Sequence, residues 1–130
     1  MIAFLGPPPA GSPRPFSEAP RAGGLVFVSG HSAPHDPANG ISRGATPAEE
    51  VRNALAKVAA ILESAGSSLD RAVQVTMLIT DPADYAALNA EYVKHFPNGL
   101  PARHTARFGV PTEARVAFAC IALAGDTAHA

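Results

Sequence analysis

The run Leu100-Pro101-Ala102-Arg103-His104-Thr105 places a permanently charged guanidinium after a proline-stiffened turn and at the mouth of a β-rich segment. A planar guanidinium clamps a carboxylate through two parallel hydrogen bonds, so Arg103 is well suited to fix a small anion. An arginine at a strand end is more often simply a surface residue, and the flanking sequence has to decide. His104 follows Arg103 directly, and His31 follows Leu25-Val26-Phe27-Val28-Ser29-Gly30. An imidazole titrates near neutral pH, which makes both histidines candidates for proton transfer. His31 and His35 lack a third ligand at suitable spacing, so a metal is not expected.

The elements that must position these groups are legible from periodicity. Leu25 to Gly30 is β-rich and bounded by glycines, which predicts a strand, and turn residues then predict a long loop over His31 to Gly44. Thr46-Pro47-Ala48-Glu49 opens a helix with a hydroxyl cap, a first-turn proline and the glutamate of a capping box. Val51, Leu55, Val58, Leu62 and Ala65 form its apolar stripe, and Gly66 supplies a left-handed stop. Glu49, Glu50, Arg52, Lys57 and Glu63 are expected on its solvated face.

Val73, Val75, Met77 and Ile79 alternate with Gln74, Thr76 and Leu78, the period of a half-buried strand. Asp81-Pro82-Ala83-Asp84 caps a second helix with Tyr85, Leu88, Tyr92 and Phe96 as its stripe, Asn89 beside that stripe and Pro97 ending it. Residues 104 to 109 and 115 to 123 are expected as two strands joined by a turn around Val110-Pro111-Thr112-Glu113. The last is apolar on both faces, which suits a strand covered by helices on one side and by another subunit on the other. Two helices can cover only one face of a roughly six-stranded sheet, so an oligomer is expected.

At 130 residues the chain is long enough for one packed core. Residues 6 to 15 carry five of its thirteen prolines and disfavour regular structure. The expected organisation is a Pro/Gly-rich segment over 1–14, a domain over 15–125 and a tail over 126–130. Ten basic residues against eleven acidic ones, scattered along the chain, give no footprint for nucleic acid or an anionic membrane. Cys120 is the single cysteine, Met1 to Leu5 is too short for a secretory hydrophobic region, and no apolar run reaches membrane-spanning length. A cytoplasmic location is the expectation.

The order Pro15-Phe16-Ser17, Gly23-Gly24-Leu25-Val26-Phe27-Val28-Ser29-Gly30, a Thr-capped helix ending Glu63-Ser64-Ala65-Gly66, a strand, Asp81-x-x-Asp84-Tyr85-x-x-x-Asn89-x-x-Tyr92, then Pro101-Ala102-Arg103 and a terminal apolar strand resembles the RidA/YjgF family. The match runs from about Pro15 to Leu123, most of the chain. The resemblance implies an α+β, chorismate-mutase-like domain with about six strands in a mixed sheet and two helices on one face. It also implies a homotrimer with pockets between subunits. Family members that are enzymes hydrolyse enamine and imine intermediates of amino acids to 2-oxo acids and ammonia, without a cofactor. By position, Arg103 would bind the substrate carboxylate, with Ser29, Gly30 and Asn89 around the pocket and Phe16 in the place of a tyrosine.

The departures bear on chemistry. Ala117 stands where the deaminases carry a water-positioning glutamate, and an alanine can neither hold a proton nor orient water. His31 replaces a glutamine and His104 follows the arginine, which leaves an imidazole to supply acid–base help. Three readings stay open: deamination of a small carboxylate-bearing imine, carboxylate binding without turnover or with another reaction, and the endoribonuclease activity of some relatives. Retention of Arg103 favours the first two, loss of the glutamate favours the second, and near-neutral charge disfavours the third.

Overall fold

The computed structural model describes residues 1–5 and 16–125. Its elements, in order, are β1 (Ala3–Leu5), β2 (Ala19–Ala22), β3 (Leu25–Ser32), α1 (Pro47–Ser64), β4 (Ala72–Ile79), α2 (Tyr85–Tyr92), β5 (Ala102–Arg107) and β6 (Val116–Leu123). They form one six-stranded sheet in the order β1-β2-β3-β6-β4-β5. Its pairings are antiparallel except β4 with β5, which are parallel. A parallel pair needs a crossover, and α2 supplies it. The α+β architecture is the one expected, and β1 adds an edge strand from within the Pro/Gly-rich segment expected over 1–14. Residues 6–15 and the tail at 126–130 lie outside the described residues.

The apolar stripe of α1 buries Val51, Ala54, Leu55, Val58, Ile61 and Leu62 against the sheet. Thr46 Oγ1 accepts from the Glu49 N–H at 3.2 Å, while the Glu49 carboxylate reaches Ala45 N rather than its own cap residue. At the far end Gly66 has φ 80°, Ser67 N bonds Leu62 O and Gly66 N bonds Glu63 O, the double closure that needs a left-handed residue. One expectation fails on this helix. Glu50 is fully buried instead of solvated. The stripe is wider than its heptad-like positions suggested, so the first turn lies over the start of β6. There Glu50 pairs with Arg115 at 2.9 Å and accepts the Arg115 backbone N–H at 2.6 Å.

Val75, Met77 and Ile79 are buried as the alternation required, but Val73 is 44% exposed. The register with β6 slips between Ala72 and Gln74, and this irregularity takes Val73 out of the core-facing alternation. The expected loop after Gly30 also starts later, because His31 and Ser32 still pair with Phe118 and Ala117 of β6. β5 starts two residues earlier than expected, so Arg103 lies within it. The helical stretch of α2 is shorter than its stripe, giving way to a 3-10 turn at Val93–His95. Leu88, Tyr92 and Phe96 are buried, with Tyr92 stacked on Phe118 at 5.8 Å between ring centroids. Tyr85, expected in the same stripe, is 41% exposed.

The helices thus cover one face of the sheet. On the other, Phe27, Gln74, Thr76, His104, Ala119 and Ile121 line a shallow groove of about 320 Å³. No helix among the described residues is long and apolar enough to cross a membrane.

Candidate functional site

Arg103 is in register with Val75, which faces the helices, and its side chain runs beneath α2. The guanidinium carbon lies 4.7 Å from the Tyr92 ring centroid and 5.8 Å from that of Tyr85, and Nη2 donates to the Tyr85 hydroxyl at 3.1 Å. Aromatic faces stabilise a cation without neutralising it, so the charge is held in place and still available to an anion. Among the described residues no carboxylate pairs with Arg103. A cleft of about 220 Å³ opens beside it, lined by Asn89, Tyr92, Val93, Leu100, Pro101 and Arg103.

Two further polar atoms belong to this cleft's lining residues, and both are buried without a hydrogen-bond partner: Asn89 Oδ1 and the Tyr92 hydroxyl. Buried polar atoms are seldom left unpaired, and an acceptor beside a donor near a fixed cation marks a place built to receive a polar guest. Burial pushes the Tyr92 phenol up to about 12, so it stays a donor at any physiological pH. The Tyr85 phenol moves the other way. Hydrogen bonding from Asn89 and the Arg103 charge hold it below the ordinary tyrosine value.

The other expected site residues gather elsewhere on the sheet. Ser29 Oγ donates to Ser17 O at 2.5 Å and Ser29 N to Glu18 O at 3.0 Å, which ties β3 to the segment carrying the half-exposed Phe16. Ser29 and Gly30 occupy the register slip between Val28 and His31, a bulge that lifts this part of β3 out of regular pairing. Ala117 is buried opposite Ser32 and Leu78. From β3 to β5 there are three strand spacings, about 14 Å. Arg103 and Asn89 therefore form one half of the expected constellation within a chain, and Phe16, Ser29, Gly30 and His31 another.

His104 is separated in a different way. Strand alternation turns it to the open face, where Nε2 lies 3.0 Å from Thr76 Oγ1 and Nδ1 3.5 Å from Gln74 Nε2. It does not share a face with Arg103. Tyr85 is the site residue that sequence reading assigned to the core. Its spacing of four from Asn89, placing both on one side of α2, was the available signal.

The sequence profile described as Endoribonuclease L-PSP matches residues 9–124. The chain belongs to the RidA/YjgF family. RutC family protein y4sK of Sinorhizobium fredii is 39% identical over 93 residues, 72% of this chain and 73% of that protein. Protein mmf2, mitochondrial, of Schizosaccharomyces pombe is 38% identical over 95 residues, 73% of each. Among solved structures, a YjgF family member from Neisseria meningitidis superposes with a TM-score of 0.78 at 28% identity, covering 97% of both chains. The YjgF gene product of E. coli gives 0.71 at 27% identity, covering 84% of this chain and 87% of its own. The RidA/YjgF assignment thus rests on sequence and fold together.

Proposed function

We propose that this RidA/YjgF protein hydrolyses small enamine or imine intermediates bearing a carboxylate, releasing a 2-oxo acid and ammonia without a cofactor. The observation that carries this reading is the Arg103 guanidinium, stacked on Tyr92 and unpaired with any carboxylate among the described residues, beside the unsatisfied Asn89 oxygen. An imine conjugated to a carboxylate already reacts with water, so holding the carboxylate and placing a water supply much of what catalysis needs. The working form proposed is a homotrimer, in which the Ser29–Gly30–His31 bulge and Phe16 of one copy complete the Arg103 cleft of another. His31 would then bring an imidazole to the pocket, whereas His104 lies across the sheet from its own chain's arginine. A cytoplasmic setting fits the buried thiol of Cys120, which burial pushes up to about 12 and so keeps unreactive.

Ala117 favours a second reading, a trimer that binds a small carboxylate without turning it over. Its methyl group is buried between Ser32 and Leu78, where a water-positioning carboxylate is absent. Freshly generated 2-aminoacrylate and 2-iminobutyrate, followed through 2-oxo acid release against an uncatalysed control, separate the two. The deaminase reading expects clear acceleration by the wild type. A wild type no faster than buffer, with hydrolysis gained in Ala117→Glu, would establish a binding pocket that lacks only the carboxylate. No gain in that variant, with the fold intact, would remove imines as the ligand class.

A further inference from the structure

Tyr85 is the polar group nearest the Arg103 guanidinium that neither the core nor the carboxylate clamp accounts for. A tyrosine in an apolar stripe should be buried, yet this one is exposed along the site edge with its hydroxyl 3.1 Å from Arg103 Nη2. Arg103 is the donor in that bond, so the phenol's own proton points elsewhere and is free to be given away. In a 2-imino acid the nitrogen is attached to the carbon next to the carboxylate. A guanidinium that holds the carboxylate therefore brings the nitrogen within reach of a hydroxyl bonded to the same guanidinium.

Resting on the deaminase reading above, we infer that Tyr85 is a catalytic residue, the general acid that protonates the imine nitrogen. As a water oxygen bonds to the imine carbon, the C=N π pair moves to nitrogen and takes the phenol proton. The resulting tyrosinate is stabilised by Arg103, and it recovers a proton from the added water. In the second half the phenol protonates nitrogen again, the C–N bond breaks with its electron pair leaving on ammonia, and the hydroxyl closes to C=O. That hydroxyl's proton restores the phenol. The sum consumes a water, releases a 2-oxo acid and ammonia, and leaves Tyr85 unchanged.

The surroundings suit a phenol that must part with its proton. Asn89 on α2 and Thr105 on β5 are its polar neighbours, and Arg103 on β5 is the charged group that faces it. All three favour the ionised form and hold the phenol below its ordinary value. A general acid works only while protonated, so activity should fall as pH rises through this lowered value, giving an alkaline limb to the rate profile.

Tyr85→Phe in the full-length protein tests the assignment, with 2-iminobutyrate as substrate. The expected result is a fall in kcat of about a hundredfold, the lower end of what general acid catalysis contributes, with KM within about twofold and the alkaline limb abolished. A melting temperature equal to wild type checks that the exposed ring has no structural role. Unchanged kcat with the alkaline limb intact overturns the assignment while leaving the deaminase reading standing. A raised KM at constant kcat also overturns it, by making Tyr85 a binding residue only. A wild type no faster than buffer overturns both.

Discussion

Arg103 carries most of the chemical meaning of the site, and its surroundings say what its replacement should do. Its charge rests on the rings of Tyr92 and Tyr85 and meets no carboxylate among the described residues, so removing it breaks no ion pair of the fold. Arg103→Ala should therefore abolish turnover and carboxylate binding while changing stability by about 1 kcal/mol or less, mostly through the lost cation–ring contact. Arg103→Lys should recover only part of the function, because a point charge cannot present two parallel donors. Steady-state kinetics, anion titration and thermal melts on the two variants check this. Full activity in the alanine variant would remove Arg103 from the site. The arginine was legible in the sequence because Pro101-Ala102-Arg103 combines a stiffened turn with a rigid donor. Tyr85 was not, since a stripe at helical spacing describes burial and says nothing of which stripe member sits at an edge. His104 shows a related limit of closeness in sequence. Adjacent residues in a strand point to opposite faces, and next to Arg103 in sequence means across the sheet in space.

The elements that hold the site were mostly readable, since their periodicity is a local property. α1, with its threonine cap and glycine stop, and the alternation from Val75 to Ile79 both depend on neighbours a few residues away. Two of the misreadings depend on distant partners. Val73 leaves the core because β4 slips against β6, and Glu50 enters it because Arg115 waits 65 residues on. This last pair fastens the first turn of α1 to the start of β6, two residues before Ala117. Arg115 also donates to the carbonyls of Gly44 and Ala45, so loop, helix and strand meet at one guanidinium. Taking away Glu50 leaves Arg115, about a third exposed, without its partner and strips the acceptor from the Arg115 backbone N–H. Glu50→Ala should accordingly cost about 1–3 kcal/mol, the cost of a polar group left unsatisfied, read as a lowered denaturant midpoint with an unchanged slope. The double variant Glu50→Leu, Arg115→Met should recover much of that loss, because a well-packed apolar pair avoids the desolvation cost of the charges. A single variant as stable as wild type would show that water reaches this site and that the latch does not organise β6.

At the scale of the whole molecule, the split between the two groups of site residues and the uncovered sheet face point to the same conclusion. Phe27, Ala119 and Ile121 make that face partly apolar, and an uncovered apolar surface is ordinarily a contact surface. A homotrimer would cover it and would also bring the β3 bulge of one copy to the Arg103 cleft of the next, which about 14 Å of sheet separates within a chain. Light scattering should give a trimer mass, but mass alone does not show that pockets are shared. Complementation does. A Cβ at Gly30 meets nothing within 4 Å in its own chain, so Gly30→Leu should fold normally and fill a pocket only if another copy lies there. Arg103→Ala and Gly30→Leu should each be inactive alone. Unfolded together in equal amounts and refolded, they should form mixed trimers in which an intact arginine adjoins an intact glycine at about a quarter of the pockets, on random assortment. Activity should return to about that fraction of wild type. Mixed trimers with no recovered activity would mean that both groups must be supplied by the same chain, and an active Gly30→Leu homotrimer would take the β3 bulge out of the pocket altogether.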